Sequence, residues 1–149
     1  MFFNVFVNGN GQLSFSTNSD GNGGIHDFSG GPVINDGQWH HVAAVYDGTD
    51  KVLYVDGIEV ARAENAHNGA GLVGGLTRYG YIAEGSESDS YNGARNSRYY
   101  DGQLDEIKLY EGVLSVEEIA AEYANIENAS EFYSVAGTAD VYAGGDDND

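Results

Sequence analysis

The stretch Lys51-Val-Leu-Tyr-Val-Asp-Gly-Ile-Glu-Val-Ala-Arg62 decides the fold. Residues 51–55 and 58–62 are rich in aliphatic and β-branched side chains, and Asp56-Gly57 between them is a pair that adopts positive φ without strain. The stretch therefore predicts a β-hairpin with a two-residue turn. Immediately upstream, residues 40–46 alternate cleanly, and Asp47-Gly-Thr-Asp50 supplies a turn into Lys51. Three consecutive antiparallel strands are expected between His40 and Arg62.

Working outward, residues 2–7 and 12–17 form two extended runs joined by Asn8-Gly-Asn-Gly11, a second hairpin. Residues 19–36, with glycine at 21, 23, 24, 30 and 31, read as a long loop or a weak edge strand. Residues 63–76 are rich in Ala and Gly and give no clear signal. Residues 79–83 read as a strand, 84–98 as a polar loop, and 103–110 as the next clear strand. Leu114-Ser-Val-Glu-Glu-Ile-Ala-Ala-Glu-Tyr123 is the one good helix. Ser115 caps it, Glu118 three residues later completes a capping box, and Leu114, Ile119 and Tyr123 form its apolar stripe. Residues 131–141 could add one strand, and the run from Gly144 to Asp149 reads as a disordered tail.

The length of 149 residues fits one domain, and a chain of this size buries about 68–70% of its unfolded surface. Six Lys and Arg face 24 Asp and Glu, a net charge of −18 that repels phosphate backbones and anionic lipid. Nucleic-acid binding and membrane insertion are accordingly not expected. Residues 101–149 carry 13 acids against Lys108 alone, which reads as a solvated helix face and tail. With 22 Gly, 11 Tyr, one Pro and no Cys, the composition is that of a turn-rich β protein without disulfides. The lack of Cys removes thiol catalysis and thiolate metal sites. No apolar run approaches the roughly 20 residues of a membrane helix. The first eight residues are too short and lack the basic start of a signal peptide, so they read as a strand. Short strands, turn signals and one helix together indicate an all-β, antiparallel β-sandwich.

Four blocks carry a resemblance. They are Asp36-Gly-Gln-Trp-His-His-Val-Ala-Ala-Val-Tyr46, Leu53-Tyr-Val-Asp-Gly-Ile-Glu-Val60, Asp101-Gly-Gln-Leu-Asp-Glu-Ile-Lys-Leu-Tyr110 and Leu114-Ser-Val-Glu-Glu-Ile119. In order and spacing the chain resembles the laminin-G-like jellyroll family, which has the concanavalin A-like lectin/glucanase fold, over roughly residues 2–123. The resemblance implies a jellyroll sandwich over residues 1–124, lacking the family's first strands, with 125–149 as an extension. Residues 131–141 are expected to fold back over the sheet edge that such a gap leaves open. It also implies a recognition module of a secreted or cell-surface protein, with any export signal outside this chain.

The residues themselves show no catalytic machinery, and an enzyme is not expected. The glucanases of the fold carry a Glu-x-Asp-x-(x)-Glu run, and no stretch here reproduces it. Retaining glycosidases need two carboxylates about 5–5.5 Å apart, whereas Asp105 and Glu106 are neighbours that face opposite sides of a strand. Asp105 shares a face with Ile107 and Leu109, which read as core-directed. His40 and His41 likewise point apart and cannot share one metal ion. Trp39 reads as a sandwich anchor in preference to a sugar platform.

Calcium is the ion that fits the oxygen-rich loops, and the resemblance makes a structural Ca2+ plausible at a rim, with Asp20, Asp27 and Asp105 as candidate ligands. Residues 78–100 are the most suggestive region for a ligand. They hold three of the six basic side chains and are neutral overall in an acidic protein. Tyr faces stack on sugar rings and Arg forks grip carboxylate or sulfate groups. The expected binding set is Arg78, Tyr81, Tyr91, Asn92, Arg95, Arg98 and Tyr99, with a polysaccharide or glycoconjugate as ligand. A structural or adhesion module with protein partners is the alternative, and a glycan hydrolase or lyase of the same fold ranks third.

Overall fold

A computed structural model describes residues 3–19, 24–68, 72, 80–84 and 99–128. Six strands and one helix form in order: β1 (Phe3–Val7), β2 (Gln12–Ser19), β3 (Gly24–Val33), β4 (Val42–Tyr46), β5 (Lys51–Val55), β6 (Ile58–Ala63) and α1 (Val116–Glu127). They make two antiparallel three-stranded sheets, β1-β2-β3 and β4-β5-β6, as the all-β sandwich reading requires.

Both expected hairpins are present. In the first, Asn8 Oδ1 accepts from the amides of Asn10 and Gln12 at 2.9 and 3.1 Å, so one side chain organises the turn. In the second, Asp56 and Gly57 have φ of 52° and 75°, the left-handed pair the sequence demands. Gly57 has a further duty. A Cβ there would lie 3.3 Å from Ala120 Cα and 3.2 Å from the Tyr123 ring, so the bare backbone lets α1 settle on the hairpin.

The alternation of β5 builds the core. Leu53 and Val55 face the first sheet and pack with Leu13 and Phe15 of β2, flanked by Phe28, Ile34, Ala44, Val60 and Ala61. Val52 and Tyr54 face the other way and pack on Ile119 of α1, with Ala43, Val45 and Leu114 around them. The expected stripe of α1 is thereby realised. Its cap is realised too: Ser115 Oγ accepts from the Glu118 amide at 3.2 Å, and the Glu118 carboxylate accepts from the Ser115 amide at 2.7 Å.

One open reading is decided and several expectations are corrected. The glycine-rich stretch after Ser19, open between a loop and a weak edge strand, is the edge strand: β3 runs for ten residues because β2 gives it a ladder partner. Its glycines serve close approach: a Cβ on Gly31 would lie 2.6 Å from Val60 Cγ2 on the facing sheet. The strand expected at 40–46 begins only at Val42. Trp39 is not a sandwich anchor, since it is 65% exposed in the connection before β4. Residues 80–84 are irregular, apart from an isolated bridge at Glu84.

The strand expected at 103–110 does not form, and its apolar side chains are not core-directed: Leu109 is 78% exposed, and Leu104 and Ile107 are exposed as well. Two causes are visible. Glu106 has φ of 50°, which breaks the two-residue alternation, and among the described residues no strand lies beside the segment to pair with it. Its polar side chains turn instead to α1, where the Lys108 ammonium and the Tyr110 hydroxyl both donate to the Glu122 carboxylate. Residues 131–141 and the tail lie outside the described residues.

This architecture separates two leucines that share a sequence pattern. Leu53→Ala should lower the free energy of urea unfolding by about 2–5 kcal/mol, the cost of a buried cavity. Leu109→Ala should change it by no more than about 0.5 kcal/mol. Comparable losses at the two positions would contradict the fold.

Candidate functional site

Of the expected binding set, Arg78, Tyr91, Asn92, Arg95 and Arg98 lie outside the described residues. Tyr81 is half-buried and Tyr99 is 68% exposed. The structure does show how the loop that contains most of the set is closed. Glu84 and Tyr99 form an antiparallel bridge, and the Tyr100 amide donates to the Ala83 carbonyl at 2.9 Å. Residues 83–84 and 99–100 are therefore held side by side. Ala83 sits at the clamp with φ of 62°, a left-handed conformation that costs a residue with a Cβ and marks a constrained point. Tyr100, next to Tyr99, is also exposed.

A second constellation surrounds Trp39. The Asp36 carboxylate accepts from the Gln38 amide at 2.9 Å, forming an Asx turn, and lies 3.3 Å from His40 Nε2. Asp56, in the β5–β6 turn, bonds His40 Nδ1 at 2.8 Å and accepts from the His41 amide at 3.0 Å. Residues 36–41 are thus tied at both ends while the indole stays in solvent. The register row Val42–Val55–Ile58 lies at this end of the second sheet, with Val42 and Ile58 exposed beside buried Val55. Sequence reasoning missed this arrangement because it read the indole by its bulk. The available signal was Asp36-Gly-Gln, a turn directly before the tryptophan.

The two histidines have opposite electrostatics. The hydrogen bond to Asp56 holds the His40 pKa above its usual value against a smaller effect of burial, with Asp36 adding to the rise. Burial lowers that of His41, whose Nδ1 has no hydrogen-bond partner among the described residues and whose ring lies 6.1 Å from that of Tyr123. Both ring nitrogens of His40 are occupied by carboxylates, so neither faces a hydroxyl nucleophile. This is not the geometry of a nucleophile–base pair.

The acids expected as calcium ligands do not form a cage among the described residues. Asp27 accepts the Ser16 hydroxyl at 2.6 Å, and Asp105 accepts the amide of its own neighbour Glu106 at 2.8 Å. No three His, Cys, Asp or Glu groups converge among the described residues, and Asp20 lies outside them. No described helix is long and apolar enough to cross a membrane.

The two antiparallel sheets, packed through β5 with α1 on the outer face, define an antiparallel β-sandwich. Residues 2–120 match the laminin G family described as the concanavalin A-like lectin/glucanases superfamily, and the chain belongs to that family. No curated protein matches it. A crystal structure of an S-layer domain-containing protein (residues 221–444) from Clostridium thermocellum is similar, at 23% identity and a TM-score of 0.48. The similarity covers 81% of this chain, which spans 55% of that one.

The His40–Asp56 contact has a defined pH signature. A raised pKa means that the folded state holds the proton more tightly. The stabilisation is therefore full below about pH 6.5 and is lost as pH rises through the higher folded value. Asp56→Asn keeps a residue suited to the turn and an acceptor for the His41 amide but removes the charge. Unfolding free energies at pH 6 should fall by about 1 kcal/mol in this variant, with a smaller loss at pH 9. An equal loss at both pH values would rule out the charged contact.

Proposed function

We propose that this chain is a non-catalytic recognition module that binds carbohydrate, a polysaccharide or glycoconjugate, as part of a protein that works outside the cell or at its surface. The observation that carries the reading is Tyr99, 68% exposed at the clamp that closes the 85–98 connection. An aromatic face on a backbone held by a bridge loses little freedom on stacking against a sugar ring. The proposed binding set is Arg78, Tyr81, Tyr91, Asn92, Arg95, Arg98 and Tyr99, and Trp39 supplies a second exposed aromatic face. Membership of a lectin/glucanase superfamily supports the ligand class. The occupied nitrogens of His40 support recognition over hydrolysis.

A second reading has its own observation. Leu104, Ile107, Leu109, Tyr110 and Val113 are all exposed within ten residues, an apolar row too extended for a sugar-sized groove. It favours a structural or adhesion module that engages a protein partner along a broad face.

Affinity electrophoresis through neutral and sulfated polysaccharides separates the readings. On the first, at least one polysaccharide retards the wild type, and Tyr99→Ala weakens binding by about fivefold to tenfold, the worth of one aromatic stack. Trp39→Ala in parallel reports whether the second face takes part. If every polysaccharide leaves mobility unchanged and sedimentation shows self-association lost in Leu109→Ser, the second reading holds. Release of sugar over time would overturn both.

A further inference from the structure

Between the two sheets lies a polar cluster that the recognition reading does not use. Lys51, the first residue of β5, is completely buried. Its ammonium donates to the carbonyls of Phe15 and His26, lies 3.2 Å from His26 Nδ1, and sits 5.3 Å from the centre of the Phe15 ring. These groups belong to β2 and β3, so the side chain spans the gap between the sheets. His67, also buried, comes from the turn after β6 and meets Thr17 Oγ1 of β2 at 2.6 Å through Nε2. Its ring stands edge-on to His26 at 5.5 Å and to Tyr46 at 5.7 Å.

The surroundings of this cluster are unusual in charge. From β2 it meets only the Thr17 hydroxyl, the Phe15 carbonyl and the Phe15 ring. From β3 it meets His26, with Asp27 close enough to act on Lys51 and His26 through space. From β4 it meets Tyr46, whose hydroxyl donates to the Gly48 carbonyl. From the turn after β6 it meets His67. Two carboxylates lie close by: Asp27 accepts from Ser16, and Asp50, next to Lys51 in the chain, accepts from the Asn65 amide and pairs with Arg62, so among the described residues neither forms an ion pair with Lys51. A buried site holding one ammonium without a paired carboxylate resists a second positive charge, because the two repel where water cannot screen them.

We propose that His67 is a proton-operated latch, which ties the turn after β6 to β2 while neutral and lets go when it takes up a proton beside the Lys51 ammonium. The turn that is released, residues 64–68, is otherwise held by the Asn65 amide on Asp50 and the Ala66 amide on the Thr49 carbonyl, both at 2.9 Å. Acid therefore loosens this end of the contact between the sheets and leaves the Leu53–Val55 core beneath it in place. Burial first, and then the Lys51 and His26 charges, lower the pKa of His67, which matches the geometry. Burial also pushes Lys51 down to about 8, so its ammonium persists through the range in which His67 titrates. A lowered pKa makes the neutral imidazole's contribution complete above about pH 6.5, and it is lost as pH falls below that value toward the folded pKa.

The test is an NMR titration of the His67 ring in the full chain between pH 8 and 4.5. The expected midpoint lies below 6.5, and the Ala66 amide, bonded to the Thr49 carbonyl in the same turn, loses protection from exchange across the same transition. In Lys51→Met, of similar volume and uncharged, the midpoint should move upward, because the repelling charge is gone. A wild-type midpoint at or above 6.5, or unchanged amide protection across it, overturns the proposal. So does a midpoint that stays put in a folded Lys51→Met protein. Should that variant fail to fold, the wild-type titration and exchange data decide the matter alone.

Discussion

Strand β5 has to satisfy two neighbours at once, and the rest of the structure depends on how it does so. All five of its residues are buried, with Leu53 and Val55 committed to the first sheet and Val52 and Tyr54 to the helix. A slip of one residue in pairing would exchange the two sets and put tyrosine where leucine packs. The Asp56-Gly57 turn prevents the slip by fixing the hairpin register, and Gly57 also lets α1 close on the outer face. One dipeptide thus sets the alignment of a sheet and the seat of a helix. The extra residue in β6, where Leu53 faces Ala61 and Tyr54 faces Glu59, takes up the twist without disturbing β5.

What was legible in the sequence was whatever local chemistry decides. Asp-Gly and Asn-Gly turns, the Ser115–Glu118 box and the alternation of residues 51–55 speak for themselves, and they form as expected. Elements that need a remote partner were harder. β3 stayed open between a loop and a weak edge strand because its glycines weaken a strand, and what decides it is Phe15 pairing with Phe28 and Gly31 meeting Val60, contacts that no local window contains. The segment at 103–110 reads as a strand and is not one. Its periodicity is good, but a strand is a relation between two segments, and the left-handed turn at Glu106 removes the alternation. The Tyr and Arg content of residues 78–100 is what points to a candidate site in the sequence, and most of that stretch lies outside the described residues. The clamp at Glu84 and Tyr99 was not legible, since one bridge between irregular segments has no pattern to read.

The charge of the molecule is distributed by burial and not by composition. In a chain of net charge −18, a lysine occupies the gap between the sheets, stabilised by carbonyls, while most of the described carboxylate residues are exposed. His40 and His41 make the same point at shorter range. They are neighbours, yet the first is charged more readily because two carboxylates bracket its ring, and the second less readily because burial surrounds its ring. Extended backbone sends adjacent side chains into different environments, so the pair never acts as one group. His40 favours the folded state at lower pH, whereas His67 favours it at higher pH, and the two work against each other across the neutral range.

Trp39 shows why exposure carries information about recognition. An indole free to move would cover its apolar face against the nearest sheet, since burial of a large aromatic is worth a few kcal/mol. Asp36 and Asp56 prevent this by bonding the backbone and His40 on either side of it. The same logic applies at the other clamp, where Tyr99 stays in solvent beside a bridge that fixes its backbone. In both places the polar contacts that hold the turn are separate from the aromatic face it displays. The display sites also lie outside the β5-centred core, so their side chains can change without altering the packing of Leu53 or Ile119. A scaffold arranged in that way suits the presentation of different surfaces on one fold.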